Sequence, residues 1–152
     1  MDDKPLNKIV RKFLAKVSTL GLATVDEHGR PHAANVNFVA DDDLNCYFLT
    51  SGDSQHGQHI AAHPHVAATA YTSFRLPHRI RGVQLRGRCT ITDPCDFDHL
   101  WKMFCKKFPY ARLYKKRAKE ECFYKFRPDW LCWTDNTVCF GYKVATDWPP
   151  EK

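Results

Sequence analysis

Leu6, Ile9, Val10, Phe13, Leu14 and Val17 recur every three or four residues, with Lys8, Arg11, Lys12 and Lys16 between them. That spacing puts the apolar side chains on one face and predicts an amphipathic helix over Pro5–Val17. Pro5 suits its first turn. From Thr19 the period changes to two. Leu20, Leu22 and Thr24 alternate with Gly21, Ala23 and Val25, which predicts a strand over 19–26 with small residues on one face. Glu27–Arg30 reads as a turn in which Gly29 can take positive φ. A return strand follows over His32–Val39, with Ala34, Val36 and Phe38 on one face and Asn35 and Asn37 on the other. Asp41–Asp43 is the next turn and Leu44–Thr50 the third strand. Strands joined this tightly form an antiparallel meander.

The stretch Tyr47–Val66 is where the rest of the chain converges. A strand ends at Thr50, a polar loop carries Gly52 and Gly57, a short helix follows, and Pro64 opens the next strand over Ala67–Tyr71. Thr72–His78 reads as a loop. Arg79–Thr92 alternates again, with shifts at Gly82 and Gly87 that predict bulges or close backbone approach. Phe97, Leu100, Trp101, Phe104 and Cys105 share one face of a helix predicted over Asp96–Lys107. Pro109 breaks it, and Tyr110–Lys119 reads as a shorter helix. Cys122–Phe126 and Trp130–Thr134 read as two short strands separated by Pro128-Asp129. Asp135-Asn136 is a turn, and Thr137–Val144 a last strand-like piece. Six or seven strands with two or three helices, and hairpins wherever connections are short, predict a mainly β fold with α, a mainly antiparallel barrel with flanking helices. One domain over 1–146 and a C-terminal tail over 147–152 are expected.

Length and composition agree with one domain: 152 residues of which 43% are apolar supply a single sizeable core. No apolar run approaches the ~20 residues that span a bilayer. The N-terminus has no apolar signal segment with a cleavage site, so a cytoplasmic location is expected. The seven cysteines are odd in number and no two are three apart, which argues against a zinc ribbon or a disulfide framework. The net charge of +6 concentrates in Arg75–Arg88 and Lys102–Lys119. The second cluster reads as a solvated helix face plus a loop, because Trp101, Phe104 and Phe108 supply the opposite face.

Within Tyr47–Val66, Thr50, Ser51 and Ser54 offer hydroxyls, Gly52 and Gly57 allow close backbone approach, and Gln55, His56 and Gln58 add side-chain donors. Such a strand–turn–helix junction leaves backbone N–H groups free to hold a phosphate, or is an ordinary connection capped by Ser54. Arg79 and Arg81 carry planar forks that could close over such a phosphate. Helical spacing would place His56, His59 and His63 on one face, a possible metal or haem surface. No G-x-S-x-G elbow or recognisable catalytic Cys sequence accompanies them. Arg75–Arg88 mixes charge with Tyr71 and Phe74, but without helix-turn-helix or zinc-finger spacing.

The block TLGLATVDEHGRPHAANVNFVADDDLNCYFLT, followed by the Ser-rich loop, short helix and HPHVA, resembles the FMN-binding split-barrel superfamily related to pyridoxamine 5′-phosphate oxidase. IRGVQLRG (80–87), KKFPYAR (106–112) and WTDNTVCFGYK (133–143) resemble its small YhbP-like branch. The resemblance implies a six-stranded antiparallel split barrel and a homodimer with FMN in a groove at the interface. It also implies a flavoprotein oxidoreductase acting on a small molecule, and from the residues no nucleic-acid or membrane partner is expected. It places Asn35, Val36, Asn37 and Phe38 along the isoalloxazine, and Leu49, Thr50, Ser51, Ser54, Gln55 and His56 toward the ribityl phosphate. Gln84 approaches the flavin, and an aromatic such as Trp130 or Trp133 comes from the partner chain. Ser54-Gln55-His56 stands where the superfamily often has Ser-x-Lys or Ser-Arg-Lys. Arg79 or Arg81 would then compensate, or the ligand would be haem or a deazaflavin, which the wider superfamily also uses. The alternatives from other classes are a haem- or metal-binding carrier using the His56/His59/His63 face, and a cofactor-free dimeric binding module.

Overall fold

The computed structural model describes residues 3–150. Helix α1 (Asp3–Lys16) leads into β1 (Thr19–Val25), β2 (Pro31–Ala40) and β3 (Cys46–Thr50), the expected meander. The first turn holds Gly29 at φ 77°. The second starts β3 later than Leu44, because Leu44 itself sits at φ 65° and cannot extend a strand. Asp41 organises that turn, accepting from the backbone N–H of Asp43 and Asn45 and from the Tyr47 hydroxyl. Helix α2 (Gln55–Ala62) follows, then β4 (His65–Thr72), β5 (Arg81–Ile91), α3 (Phe97–Lys107), a 3-10 segment Pro109–Tyr114, α4 (Lys115–Ala118), β6 (Cys122–Asp135) and β7 (Lys143–Asp147).

The sheet order is β3-β2-β1-β4-β5-β6-β7, every pairing is antiparallel, and β3 also pairs with β6. That last pairing closes β1–β6 into a six-stranded barrel and leaves β7 outside it on β6. Alternation fills the interior with Leu20, Leu22, Phe38, Phe48, Leu85, Tyr124, Phe126 and Leu131, all essentially inaccessible. Val10, Phe13 and Leu14 of α1 cap this core. A second apolar cluster, around Trp101, Phe104 and Phe123, packs α3 onto the outside of the barrel.

Three expectations are corrected. The two short strands around Pro128-Asp129 are one strand, β6, with a bulge. Gly87 faces Pro128 while Arg86 faces Trp130, so Asp129 is the extra residue. One extra residue inverts the inward phase, from Tyr124 and Phe126 before it to Leu131 and Trp133 after it. That inversion is what mimics a break in the sequence. The piece expected as a strand over Thr137–Val144 is largely a loop, with β7 starting at Lys143. The segment expected as a tail from Asp147 is anchored at its start: Trp148 is buried, its Nε1 donates to the Asp43 carbonyl and its backbone N–H to that of the bulged Asp129. Glu151 and Lys152 lie outside the described residues. No helix among the described residues is long and apolar enough to cross a membrane.

Candidate functional site

The residues singled out in the sequence fall into three places on the barrel. At one end, β3 runs into the turn that starts α2. Ser54 caps this helix: its hydroxyl donates to the Ser51 carbonyl at 2.7 Å and accepts from the Gly57 N–H at 3.1 Å. Thr50 Oγ1 lies 2.9 Å from His56 Nε2. Gln55 is exposed at the helix start. Thr24, reaching the same end from β1, lies 2.9 Å from His59 Nδ1, and the His32 ring stands edge-on to His59 at 5.3 Å. Partial burial lowers the pKa of His56, and the neighbouring His32 and His59 lower it further. His56 and His59 thus share a side of α2 as the spacing predicted, but one ring nitrogen of each is engaged by a threonine. His63 is the exposed C-cap, and His32, not singled out in the sequence, takes the third place. Among the described residues, no group of three or more His, Cys, Asp or Glu is arranged to hold a metal ion.

The opposite end holds Arg79, Arg81 and Trp133. They line a cavity of about 580 Å³ under α1, together with Lys12, Lys16 and Phe13. Arg81 Nε contacts Asp135 Oδ1 at 3.2 Å, and Arg79 lies over the Phe74 ring at 5.0 Å. Burial raises the Asp135 pKa, but hydrogen bonds from Thr137 and the Arg81 charge outweigh it and the net shift is downward. Trp133 is buried against Phe13, with ring centroids 5.1 Å apart. The expectation that Arg79 and Arg81 flank the Ser54–His56 turn is therefore corrected within one chain. Arg81 begins β5, whereas Arg88 pairs with His65 just after α2. Seven strand residues separate the two ends by about 23 Å.

The third place is the outward face of β2-β1-β4-β5. Register aligns Asn35, Gly21, Thr69 and Gln84 in one row, and Ala33, Ala23, Ala67, Arg86 and Trp130 in the next. These rows form a flat strip of small side chains. Two depressions on it, of about 530 and 430 Å³, share Ala23, Ala67 and Arg86. The Arg86 guanidinium lies 4.1 Å over the Trp130 ring. Asn35, Asn37 and Gln84 face outward as expected, but Val36 and Phe38 point into the core. Leu49 packs toward α3. Of the side chains expected along the ligand, Asn35, Gln84 and Trp130 lie in these rows. Arg86 was missed, although its alternation with Gln84 on β5 places it outward beside the small residues.

The sequence profile of the pyridoxamine 5′-phosphate oxidase family matches residues 6–131. The chain belongs to this family. Within it, the chain falls in the YhbP-like branch. It is 31% identical over 112 residues to the UPF0306 protein of Klebsiella pneumoniae strain 342, covering 73% of each chain. It is 31% identical over 121 residues to the UPF0306 protein YhbP of Salmonella paratyphi C, covering 79% of each. The fold matches Campylobacter jejuni ChuZ with a TM-score of 0.81 at 15% identity, over 97% of this chain and 61% of that one. It matches a heme binding protein from Mycobacterium smegmatis at 0.73 and 17% identity, over 90% and 56%. HutZ, the heme storage protein of Vibrio cholerae, matches at 0.63 and 17%, over 84% and 91%.

FMN joins a planar ring to a dianionic phosphate, and the two halves fit this barrel unequally. The strip offers Gly21, Ala23, Ala33 and Ala67, small residues that a planar ring could lie against. The α2 turn receives a phosphate poorly. Thr50, Ser54 and His56 are bonded to one another or to backbone, and burial together with His32 and His59 disfavours the charged form of His56. The cation that borders the strip is Arg86.

Proposed function

We propose that this family member binds FMN on the outward strip, between two copies of the chain, and acts as an oxidoreductase on a small molecule. The observation that carries this reading is the strip itself: Gly21, Ala23, Ala33 and Ala67 leave a flat surface bordered by Asn35, Thr69, Gln84 and Arg86. Flat apolar surface of this kind is rarely left uncovered. A planar ring and a second copy cover it together. With a two-fold axis lying across the strands, the α2 end of one copy meets the arginine-rich rim of the other. That arrangement would bring Arg79 and Arg81 back to the phosphate in trans. Bound flavin supplies the redox chemistry. The residues of the chain orient the ring, exclude water and offset the phosphate charge.

A second reading replaces FMN by haem. It is favoured by two fold neighbours whose names state haem binding or storage, and by the α2 turn, where the charged form of His56 is disfavoured, since haem needs no phosphate site. Titration of the purified protein with FMN and, separately, with haemin distinguishes them. Quenched flavin fluorescence with a dimeric mass by light scattering supports the first reading. A shifted haem absorption band without flavin binding supports the second. Binding of neither, at high micromolar ligand, leaves a cofactor-free barrel.

A further inference from the structure

Eight of the chain's 23 Lys and Arg lie between Lys102 and Lys119, with no Asp or Glu among them. The remaining fifteen are outnumbered by 17 Asp and Glu, so the basicity of the whole protein resides in this one segment. It forms the end of α3, the 3-10 segment and α4, packed outside the barrel against Val39 of β2 and Phe123 of β6. Lys107 is turned inward: its Nζ lies 3.9 Å over the Phe38 ring and donates to the Leu14 carbonyl at 3.0 Å, and burial lowers its pKa to about 8. The other seven are exposed, and none takes part in an ion pair among the described residues.

The aromatics of this segment are divided. Trp101, Phe104, Phe108 and Ala111 pack toward the barrel. Tyr110, Leu113 and Tyr114 are left 81%, 81% and 63% exposed. Two of the three are tyrosines, within five residues of one another and bracketed by Lys106, Arg112 and Lys115. Beside them is a depression of about 540 Å³ lined by Lys102, Arg112 and Lys115, with Trp101, Cys105 and Asp98 completing the wall. A solvated helix face accounts for the charges. It does not account for two open tyrosine rings next to a concave site with three cations.

We propose that this surface binds single-stranded nucleic acid without sequence preference. The cations track the phosphates, the depression seats one of them, and Tyr110 and Tyr114 offer faces on which bases stack. Stacking on aromatic side chains beside a basic groove is how sequence-tolerant single-strand binding is built. A membrane fits less well, because the cations converge on a concavity and Leu113 is the one aliphatic side chain standing out to insert.

The experiment is fluorescence anisotropy of a labelled oligouridylate of about 20 nucleotides with the full chain, between about 50 and 200 mM salt. Contact with about four phosphates weakens affinity roughly fiftyfold over that range. The exposed triple variant Lys115→Glu/Lys116→Glu/Arg117→Glu is expected to lose at least tenfold in affinity and to flatten the salt dependence. Tyr110→Ala/Tyr114→Ala is expected to lose several-fold with the salt dependence unchanged, which separates stacking from charge. Circular dichroism of both variants checks that the barrel is retained. No binding at tens of micromolar protein in low salt overturns the proposal. So does unchanged affinity in the folded triple variant, or capture by phosphatidylglycerol vesicles without oligonucleotide binding.

Discussion

Thr50 Oγ1 and His56 Nε2 face each other at 2.9 Å, so the turn that ends β3 is already satisfied by its own side chains. A phosphate arriving there would meet an imidazole whose charged form is disfavoured by burial and by His32 and His59. Replacing His56 by Lys supplies a permanent charge, and a charge-assisted hydrogen bond contributes about 1.5–3 kcal/mol. His56→Lys is therefore expected to tighten FMN roughly tenfold or more relative to riboflavin, which lacks the phosphate. Parallel titrations of the two ligands measure the ratio. An unchanged ratio would place the phosphate elsewhere.

The same histidine sets a pH dependence. Its pKa is lower in the folded chain than its ordinary value of 6.5, so the unfolded chain binds more protons just below that value. Stability is then complete above about pH 7 and falls as pH drops through 6.5. Asp26 behaves in a different window. The Arg30 backbone N–H, followed by its guanidinium and the His28 N–H, holds the Asp26 pKa at about 2 against an ordinary 3.8, so its contribution is lost only below about pH 4. Thermal melts from pH 7.5 to 5 should show a falling midpoint that His56→Gln makes shallower and Asp26→Asn leaves unaltered.

Gly87 sits where the β6 bulge crosses β5. A Cβ there would come within 2.0 Å of the Arg127 carbonyl oxygen and 2.8 Å of Pro128 Cα, both backbone and unable to yield. Gly87→Ala is expected to cost about 3 kcal/mol or more, a fall of roughly 6–12 °C in melting temperature. Gly29→Ala provides a contrast: nothing lies within 4 Å, and only its φ of +77° opposes the change.

Trp148 ties the end of the chain to the second turn through Asp43 and to the bulge through Asp129. Trp148→Ala removes a buried indole and is expected to cost about 3–5 kcal/mol. Chemical denaturation measures it. A loss below 1 kcal/mol would show that the segment after β7 is not anchored.

Most of the barrel was legible because its strands alternate cleanly, from Leu20–Leu22–Thr24 to Val83–Leu85. The legible part stops where periodicity is interrupted by tertiary structure. At Asp129 one bulged residue inverts the phase of β6, and a local pattern cannot distinguish that from a break. Trp148 looks like tail because its partners, Asp43 and Asp129, are remote in sequence. The site was legible residue by residue but not in its arrangement. Asn35 and Gln84 face outward as the alternation requires, yet no local signal tells that β5 carries Arg81 and Arg88 to opposite ends of the barrel. Arg86 was hidden by its ordinary appearance, one arginine among several, and stands out only because its neighbours on the strip are Ala23 and Ala67.

The central claim is that a planar cofactor lies on the strip. Ala23 lines both depressions there and points away from the core, so Ala23→Trp fills the strip without disturbing the barrel. The decisive measurement is a cofactor titration followed by absorbance, with FMN and with haemin, on the native chain and on this variant. The account predicts that the native chain binds one of the two, FMN first, and that the folded variant loses at least tenfold in affinity. Equal binding by native and variant chains would contradict it.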